Sequence, residues 1–426
     1  MAIATLIVLF LVFLVIGVPV ALAMGLTSMV VAFLLDIPMS VLAQRMVAGV
    51  NSFPLLAIPF FILAGEIMNA GGISQRLIKL SDVVIGRFRG GLGMVNVSSS
   101  MLFGGISGSA LADTSSTGSV MIPMMKKKGY DADYSVAVTV TSATQGIVIP
   151  PSHNMIIYAL AAGGGLSISS LFLGGIIPGI LLGLGLMVTA YLIAVKRNYP
   201  AEKPSSFTEF LAALKGSIPG LMTGVIIIGG IMTGIFTVTE SAAIAVVYAF
   251  IVSFVFNKEV PLSMIVPVLR RTFKTLALVL FLIATSSGFA WLLALLRVPS
   301  LISENLLSLT SNPILITLII IFILLLLGMI LDVAPIILIT TPILLPIATS
   351  IGMDPIHYGI VMMICMAIGL VTPPVGGALF IGSAIAKIPI EGAVKALLPF
   401  YISMIAILML VAFVPHLTLY IPSIFE

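Results

Sequence analysis

The 426-residue sequence is 60% hydrophobic and only 8% charged, with a mean hydropathy of +1.29 and a formal net charge of +4. Soluble domains carry about 25% charged residues, so a fold with a water-exposed surface is excluded and a polytopic membrane protein is expected. One cysteine, Cys365, and three scattered histidines, His153, His357 and His416, exclude a disulfide framework and a transition-metal cluster.

The first half reads in chain order as spans near 2–19, 20–36 and 54–71, an apolar stretch over 92–125, an interrupted span over 135–162 and a last span over 171–196. Each apolar run is judged against a bilayer core about 30 Å thick. No signal peptide is expected, because Met1–Leu35 has no basic segment and its first charge is Asp36. Arg76, Lys79, Arg87 and Arg89 precede the 92–125 stretch, and Lys126, Lys127 and Lys128 follow it. Basic flanks mark the cytoplasmic side, so this stretch enters and leaves on one side as a re-entrant hairpin. Lys196–Lys215, polar and holding Pro200 and Pro204, reads as a linker.

The second half repeats the order: spans near 217–236, 240–257 and 275–297, a stretch over 313–350, an interrupted span over 356–386 and a last span over 396–420. Lys258–Lys274 spaces basic residues among Val, Leu and Ile, as in an amphipathic helix lying on the cytoplasmic face. Arg76–Arg89 is its candidate counterpart. The 313–350 stretch has Arg297 before it and no Lys or Arg until Lys387, so its flanks are extracytoplasmic. Arg297, after Trp291, has two readings, an interfacial anchor and a contact for an external partner.

A shift of 223 residues lays the first half on the second. Gly105 falls on Gly328, Pro123 on Pro346, Gly129 on Gly352 and Asp131 on Asp354. Gly146-Ile-Val-Ile-Pro150-Pro151 falls on Gly369-Leu-Val-Thr-Pro373-Pro374. Five crossings per half, an odd number, invert the second repeat relative to the first. That topology places 17 of the 19 basic residues inside, with Arg45 and Arg297 outside, and puts both termini on the periplasmic side. The expected fold class is an all-α polytopic membrane protein of two inverted repeats, each with five spans (one broken) and one re-entrant hairpin.

The four interruptions carry the chemistry. Irregular backbone survives at membrane depth only where protein buries it or a cavity wets it, and inverted repeats bind ions and solutes at such breaks. The first tip runs Gly104-Gly105-Ile-Ser107-Gly108-Ser109-Ala-Leu-Ala-Asp113-Thr-Ser115-Ser116-Thr117-Gly118. Its glycines permit a tight turn, and its hydroxyls and carbonyls suit a hard cation. Small residues also serve plain helix packing, and for any single serine both readings stand. Asp113 is an ionisable group in a membrane segment, a functional signal by default. Its other reading is a helix N-cap on the returning arm.

The first break runs Thr144-Gln145-Gly146-Ile-Val-Ile-Pro150-Pro151-Ser152-His153-Asn154, where paired prolines remove donors and free the preceding carbonyls. Ser152, His153 and Asn154 open the next half-helix, whose dipole end favours a carboxylate. For His153 a hydrogen-bonded buried cap competes with ligand contact. The second tip, Gly328-Met-Ile-Leu-Asp332-Val-Ala-Pro335 followed by Thr340 and Thr341, is less polar and faces the break Thr372-Pro373-Pro374-Val-Gly376-Gly377. It looks more like an ion site than a solute site.

Three motifs resemble the large permease subunit of tripartite ATP-independent periplasmic transporters. They are G-G-I-S-G-S-A-x-A-D (Gly104 to Asp113), Q-G-x-x-I-P-P-S (Gln145 to Ser152) and the opening L-x-x-G-V-P-V-A (Leu14 to Ala21). The resemblance spans nearly the whole chain. It implies a bacterial inner-membrane transporter, not an enzyme, that imports C4-dicarboxylates, sialic acids or related carboxylated solutes by sodium symport. It further implies two partners, a small four-helix membrane subunit and a periplasmic substrate-binding protein, with no nucleic acid and no cofactor beyond Na+ as coupling ion.

By the architecture it implies, similar to elevator-type sodium symporters, one sodium lies against Ser107, Gly108, Ser109 and Pro150. A second lies against Gly328, Asp332, Thr372 and Gly376. The solute lies near Asp113, Ser115, Ser152, His153 and Asn154. The organisation then reads 1–72 scaffold and 73–196 arm, hairpin, broken helix and last span. Residues 197–216 form the linker, 217–297 the second scaffold and arm, and 298–426 the second hairpin, broken helix and last span. The ion gradient supplies the drive, since no G-x-x-x-x-G-K-[ST] occurs. A stand-alone sodium- or proton-coupled anion symporter or antiporter of similar fold is the alternative, with Asp113 and Asp332 as proton carriers. An enzyme would need a nucleophile–base pair or an H-E-x-x-H set, and neither is present.

Overall fold

The computed structural model describes residues 2–201, 205–256, 260–310 and 312–425. Lys203 and Lys258, both placed on the cytoplasmic side above, lie outside the described residues. Every regular element among those described is helical, with one isolated bridge between Arg89 and Ala201. The first half holds α1 (Ala2–Val15), α2 (Val20–Leu34), α3 (Met39–Val50), α4 (Ala57–Ala70), α5 (Ile73–Ile85), α6 (Gly91–Ser107) and α7 (Ala110–Lys127). It continues with α8 (Ala132–Ala143), α9 (Gln145–Val148), α10 (His153–Ala161) and α11 (Ile168–Lys196). The second half holds α12 (Phe207–Met232), α13 (Val238–Phe250, prolonged by a π turn to Phe256), α14 (Ile265–Leu295), α15 (Val298–Leu309), α16 (Pro313–Gly328) and α17 (Val333–Ser350). It closes with α18 (Pro355–Gly369), α19 (Gly377–Ala386), α20 (Ile390–Phe413), α21 (His416–Leu419) and α22 (Pro422–Phe425).

Both expected hairpins form. α6 stops because Gly108 takes φ +60°, and its N–H donates to the Gly104 carbonyl at 2.9 Å. Ser109 then caps α7, accepting the Ala112 N–H at 3.3 Å. The second hairpin, α16–α17, turns over Met329–Asp332, and Asp332 caps α17 through the Val333 N–H at 2.8 Å. Both expected breaks form too, α9 to α10 across Pro150–Pro151 and α18 to α19 across Pro373–Pro374, each with a cis Pro–Pro bond.

The halves pack reciprocally. α10 of the first half lies on α17 of the second, and α19 of the second lies on α7 and α8 of the first. Likewise α20 covers α8 while α11 covers α18. Tyr134, Tyr158, Tyr358, Phe172 and Phe400 are fully buried at this junction, and the Tyr158 hydroxyl donates to the Pro355 carbonyl at 2.6 Å, joining the halves. Large apolar residues face outward on the perimeter helices, Phe33, Leu192 and Ile402 among them, as a bilayer-facing surface requires.

Length and composition alone pick out seven helices able to cross a membrane among the described residues. One of them, Val333–Ser350, is the returning arm of the second hairpin.

Three expectations are corrected. The arm within Lys258–Lys274 is not separate from the span after it, because α14 runs unbroken over 31 residues, about 46 Å at 1.5 Å per residue. In the first half the corresponding chain is interrupted by a 3₁₀ turn at Phe53–Leu56 that contains Pro54. Position 277, its equivalent, is alanine, so nothing stops the helix.

The counterpart of that arm is α3 rather than Arg76–Arg89, since the 223 shift carries 39–50 onto 262–273 and carries α5 onto α15. The linker is also shorter than 197–216. α12 starts at Phe207, where Ser206 and Glu209 form a capping box: the Glu209 N–H donates to Ser206 Oγ at 3.2 Å and the Ser206 N–H to Glu209 Oε2 at 2.7 Å.

At the N-terminal flank of α8, Arg197 from the end of α11 pairs with Asp131 and Asp133, each at 2.9 Å. The Tyr199 hydroxyl donates to Asp131 Oδ2 at 2.6 Å. That hydrogen bond, with Arg197 beside it, holds the Asp131 carboxyl below its ordinary value, while burial pushes the Tyr199 phenol up to about 12. The Tyr130, Tyr134 and Tyr199 rings close over one another at 4.4–6.1 Å.

Candidate functional site

Each hairpin tip is seated on the break of its own half. A Cβ on Gly104 would stand 2.8 Å from the Gly146 Cα, and one on Gly108 would stand 2.8 Å from the Pro151 carbonyl oxygen. In the second half a Cβ on Gly369 would lie 2.5 Å from the Gly328 Cα. At both crossings backbone touches backbone, which only glycine allows. The second contact is also tied by the Val375 N–H donating to the Met329 carbonyl at 3.1 Å.

The first tip gathers the expected ion-site residues. Ser107 ends α6, and its hydroxyl accepts the Ser109 N–H at 3.5 Å. Gly108 presses on the stretch Pro151–His153, and Pro150 faces Gly105, whose Cβ would be 3.3 Å from its carbonyl oxygen. Ser152 occupies the capping position of α10, yet its side chain caps nothing. Its hydroxyl is fully buried without a hydrogen-bond partner. A buried hydroxyl left unpaired costs free energy unless something fills its coordination, so this break has spare oxygen valence beside the tip. That donor set, hydroxyls and carbonyls without thiol or imidazole clusters, fits a hard monovalent cargo cation.

The second tip brings Gly328, Asp332, Thr372 and Gly376 to its own break, but two of them are engaged. Asp332 Oδ1 caps α17, and the Thr372 hydroxyl donates to the Ile368 carbonyl at 2.6 Å. Gly376, at φ +35°, opens α19.

A cavity of about 420 Å³ lies against the first tip, within the size range of small-molecule sites. Ser107, Ser109 and Ser115 line it from the hairpin, and His153 lines it from α10. A second cavity of about 240 Å³ adjoins it through Asn69 and Ser115 and continues along α7 past Ser116 and Ser119. This polar face runs from the tip toward the Lys126–Lys128 end.

Asp113, Ser152 and Asn154, expected near the solute, lie outside the cavity lining. Asp113 is not the cap of α7, a role that Ser109 takes. It sits one turn in, fully buried, accepting from the Thr117 hydroxyl at 2.5 Å with Ser100 as a second hydroxyl neighbour. Its carboxylate is held at one oxygen by Thr117 of its own helix, and its other oxygen is buried without a hydrogen-bond partner.

The opposite wall was not among the expected site residues. Glu66 and Asn69 of α4 and Arg271 and Thr275 of α14 complete the cavity. One signal for Glu66 exists in the sequence: it is the single acidic residue of the 54–71 span, and an ionisable residue there marks a functional position. Arg271 carries no such signal, because it sits among the other basic residues of an amphipathic segment.

A family model described as "Tripartite ATP-independent periplasmic transporter, DctM component" matches residues 7–417. The chain is 42% identical to the Salmonella typhimurium protein YgiK over 98% of this chain and 96% of that one. It is 38% identical to the Escherichia coli 2,3-diketo-L-gulonate TRAP transporter large permease protein YiaN over 94% of each. In three dimensions it is similar to the Alcanivorax borkumensis YdaH transporter, with a TM-score of 0.63 at 13% identity over 88% of both chains. That last likeness concerns the fold alone.

Proposed function

The chain belongs to the DctM-component family of tripartite ATP-independent periplasmic transporters, and from that premise we propose that it imports a carboxylated organic solute of the C4-dicarboxylate or sugar-acid class by sodium symport. As a member of that family it is a transport subunit of the bacterial inner membrane rather than an enzyme. A periplasmic binding protein hands over the solute, and a small four-helix membrane subunit completes the complex.

The observation that carries this reading is the seating of each hairpin tip on its own break, with a polar cavity beside the first. The 2,3-diketo-L-gulonate named for the Escherichia coli relative is a sugar acid, which supports the solute class. Sodium fits between Ser107, Gly108, Ser109 and the Pro150–Ser152 break, where the Ser152 hydroxyl is unpaired. A second ion fits between Gly328 and the Thr372–Gly376 break. Ion binding orders the tips, and the ordered first tip completes the pocket at Ser115 and His153.

Hairpins and broken helices then move as one body against α1–α4 and α12–α14, an elevator step that carries the pocket across the membrane. The cavity's two walls, one from each body, support that division. The test is uptake by proteoliposomes containing the three-part complex, with sodium replaced at fixed pH. Undiminished uptake without sodium would overturn the symport, and undiminished uptake without the binding protein would favour a stand-alone carrier.

A further inference from the structure

The first hairpin also faces α12, across a cleft of about 590 Å³. Leu102 and Gly105 of α6 and Pro150 of the break line one side, and Leu221, Gly224 and Gly229 of α12 line the other. Every residue that lines it has an apolar side chain or none, so it does not suit a carboxylated solute. It lies between the two bodies named above, with the hairpin and break on the moving side and α12 on the fixed side.

The glycines of α12 are not alike. Gly220 is packed, since a Cβ there would lie 2.5 Å from the Ile73 side chain. Close to it the Ser217 hydroxyl donates to the Arg76 carbonyl at 2.9 Å, so this part of α12 is tied to α5. Gly224 and Gly229 line the cleft, and a Cβ at either would meet nothing within 4 Å. A glycine inside a helix costs about 1 kcal/mol relative to alanine, and membrane helices use it where another backbone comes close. In this conformation no backbone comes close to these two. The hairpin across the cleft can supply one by moving.

We propose that the cleft is the clearance for the elevator step, in which the first hairpin tip advances along α12 and comes against Gly224 and Gly229 in the opposite state. The proposal rests on the functional reading above and adds where the moving body lands. With the Gly220 end held against α5, the free length runs from Leu221 to Gly229, about 12 Å at 1.5 Å per residue. Bulk added to the cleft is accommodated in the present conformation and penalises the other one.

The experiment adds that bulk after folding. Gly224→Cys and Gly229→Cys are reconstituted in proteoliposomes with the complete three-part system and treated with benzyl methanethiosulfonate, a reagent that enters the bilayer. Cys365, the one native cysteine, is fully buried, and treated wild type controls for it. Uptake is followed for whichever of 2,3-diketo-L-gulonate, succinate and N-acetylneuraminate the wild type transports. Treatment is expected to cut the maximal rate of both variants about tenfold, or about 1.4 kcal/mol of barrier, a cost typical of an overpacked contact. Their melting temperature in detergent should not move. Gly216→Cys, equally open but outside the cleft, should keep its rate.

Undiminished rates in both variants, with the thiols shown by mass to be modified, would overturn the proposal. So would thiols that do not react, an equal loss in Gly216→Cys, or a lowered melting temperature. A variant silent before treatment with its melting temperature intact would support the proposal, because the cysteine itself then blocks the step. Wild-type uptake of none of the three anions would overturn the functional reading and this inference together. Wild-type uptake with both treated variants undiminished would overturn the inference alone.

Discussion

The contact between Gly328 and Gly369 sets how closely the second hairpin approaches its break, and Gly369→Ala probes it directly. The added Cβ would lie 2.5 Å from the Gly328 Cα, 2.6 Å from its carbonyl carbon and 2.8 Å from its carbonyl oxygen. Carbon atoms rest at about 3.5–4.0 Å, so the tip must retreat by about 1 Å. All three obstructing atoms are backbone, and no rotamer change relieves them. Overpacking of this kind costs about 1–3 kcal/mol.

The retreat also stretches the hydrogen bond from the Val375 N–H to the Met329 carbonyl, now 3.1 Å. Thermal unfolding in detergent should show the loss, and hydrogen exchange at the Val375 amide should accelerate. Sodium-dependent uptake should fall with them. Gly216→Ala is the control: its Cβ meets nothing within 4 Å on a helical site, so it should be neutral or stabilising by up to about 1 kcal/mol. Wild-type stability and wild-type exchange at Val375 in Gly369→Ala would refute the close-approach argument.

Gly104→Ala should behave similarly at the first tip, where the obstruction is the Gly146 backbone at 2.8 and 2.9 Å. Comparing its sodium-concentration dependence of uptake with that of Gly369→Ala would test whether the two tips bind ions separately. Ser109→Ala removes the cap of α7 and should lower stability by about 1 kcal/mol. Melting in sodium-free buffer separates this from any ion effect.

At the α8–α11 junction, Asp131 is held below its ordinary value of 3.8 by Tyr199 and Arg197. A depressed carboxyl contributes stability that is fully present above 3.8 and is lost as pH falls through the lower folded value. The difference in melting temperature between wild type and Asp131→Asn should therefore be constant from about pH 5 upward and shrink below 3.8. A difference that grows on acidification would contradict the assignment.

Much of this architecture is legible in the sequence because its causes are local. Paired prolines remove donors wherever they stand, so both breaks are readable at Pro150–Pro151 and Pro373–Pro374. The basic flanks of 92–125 mark a hairpin without reference to any partner. The start of α12 was equally legible, since Ser206-Phe-Thr-Glu209 is a capping-box sequence, yet the polar content of 197–216 points instead to a linker. The continuity of α14 follows from an alanine standing where the first half has Pro54, a difference visible only once the halves are aligned.

What the tertiary structure decided is which faces meet. Asp113 and Ser115 are two residues apart, and successive residues on an α-helix turn by about 100°. They therefore project to opposite sides of α7, and only the rotation of α7 against α6 and α4 turns the carboxylate inward and the hydroxyl to the cavity. In the same way Glu66 and Arg271, distant in sequence and in different repeats, share one cavity because α14 packs along α4. Periodicity and composition describe each helix alone, whereas a pocket wall is a relation between helices, fixed when their side chains pack.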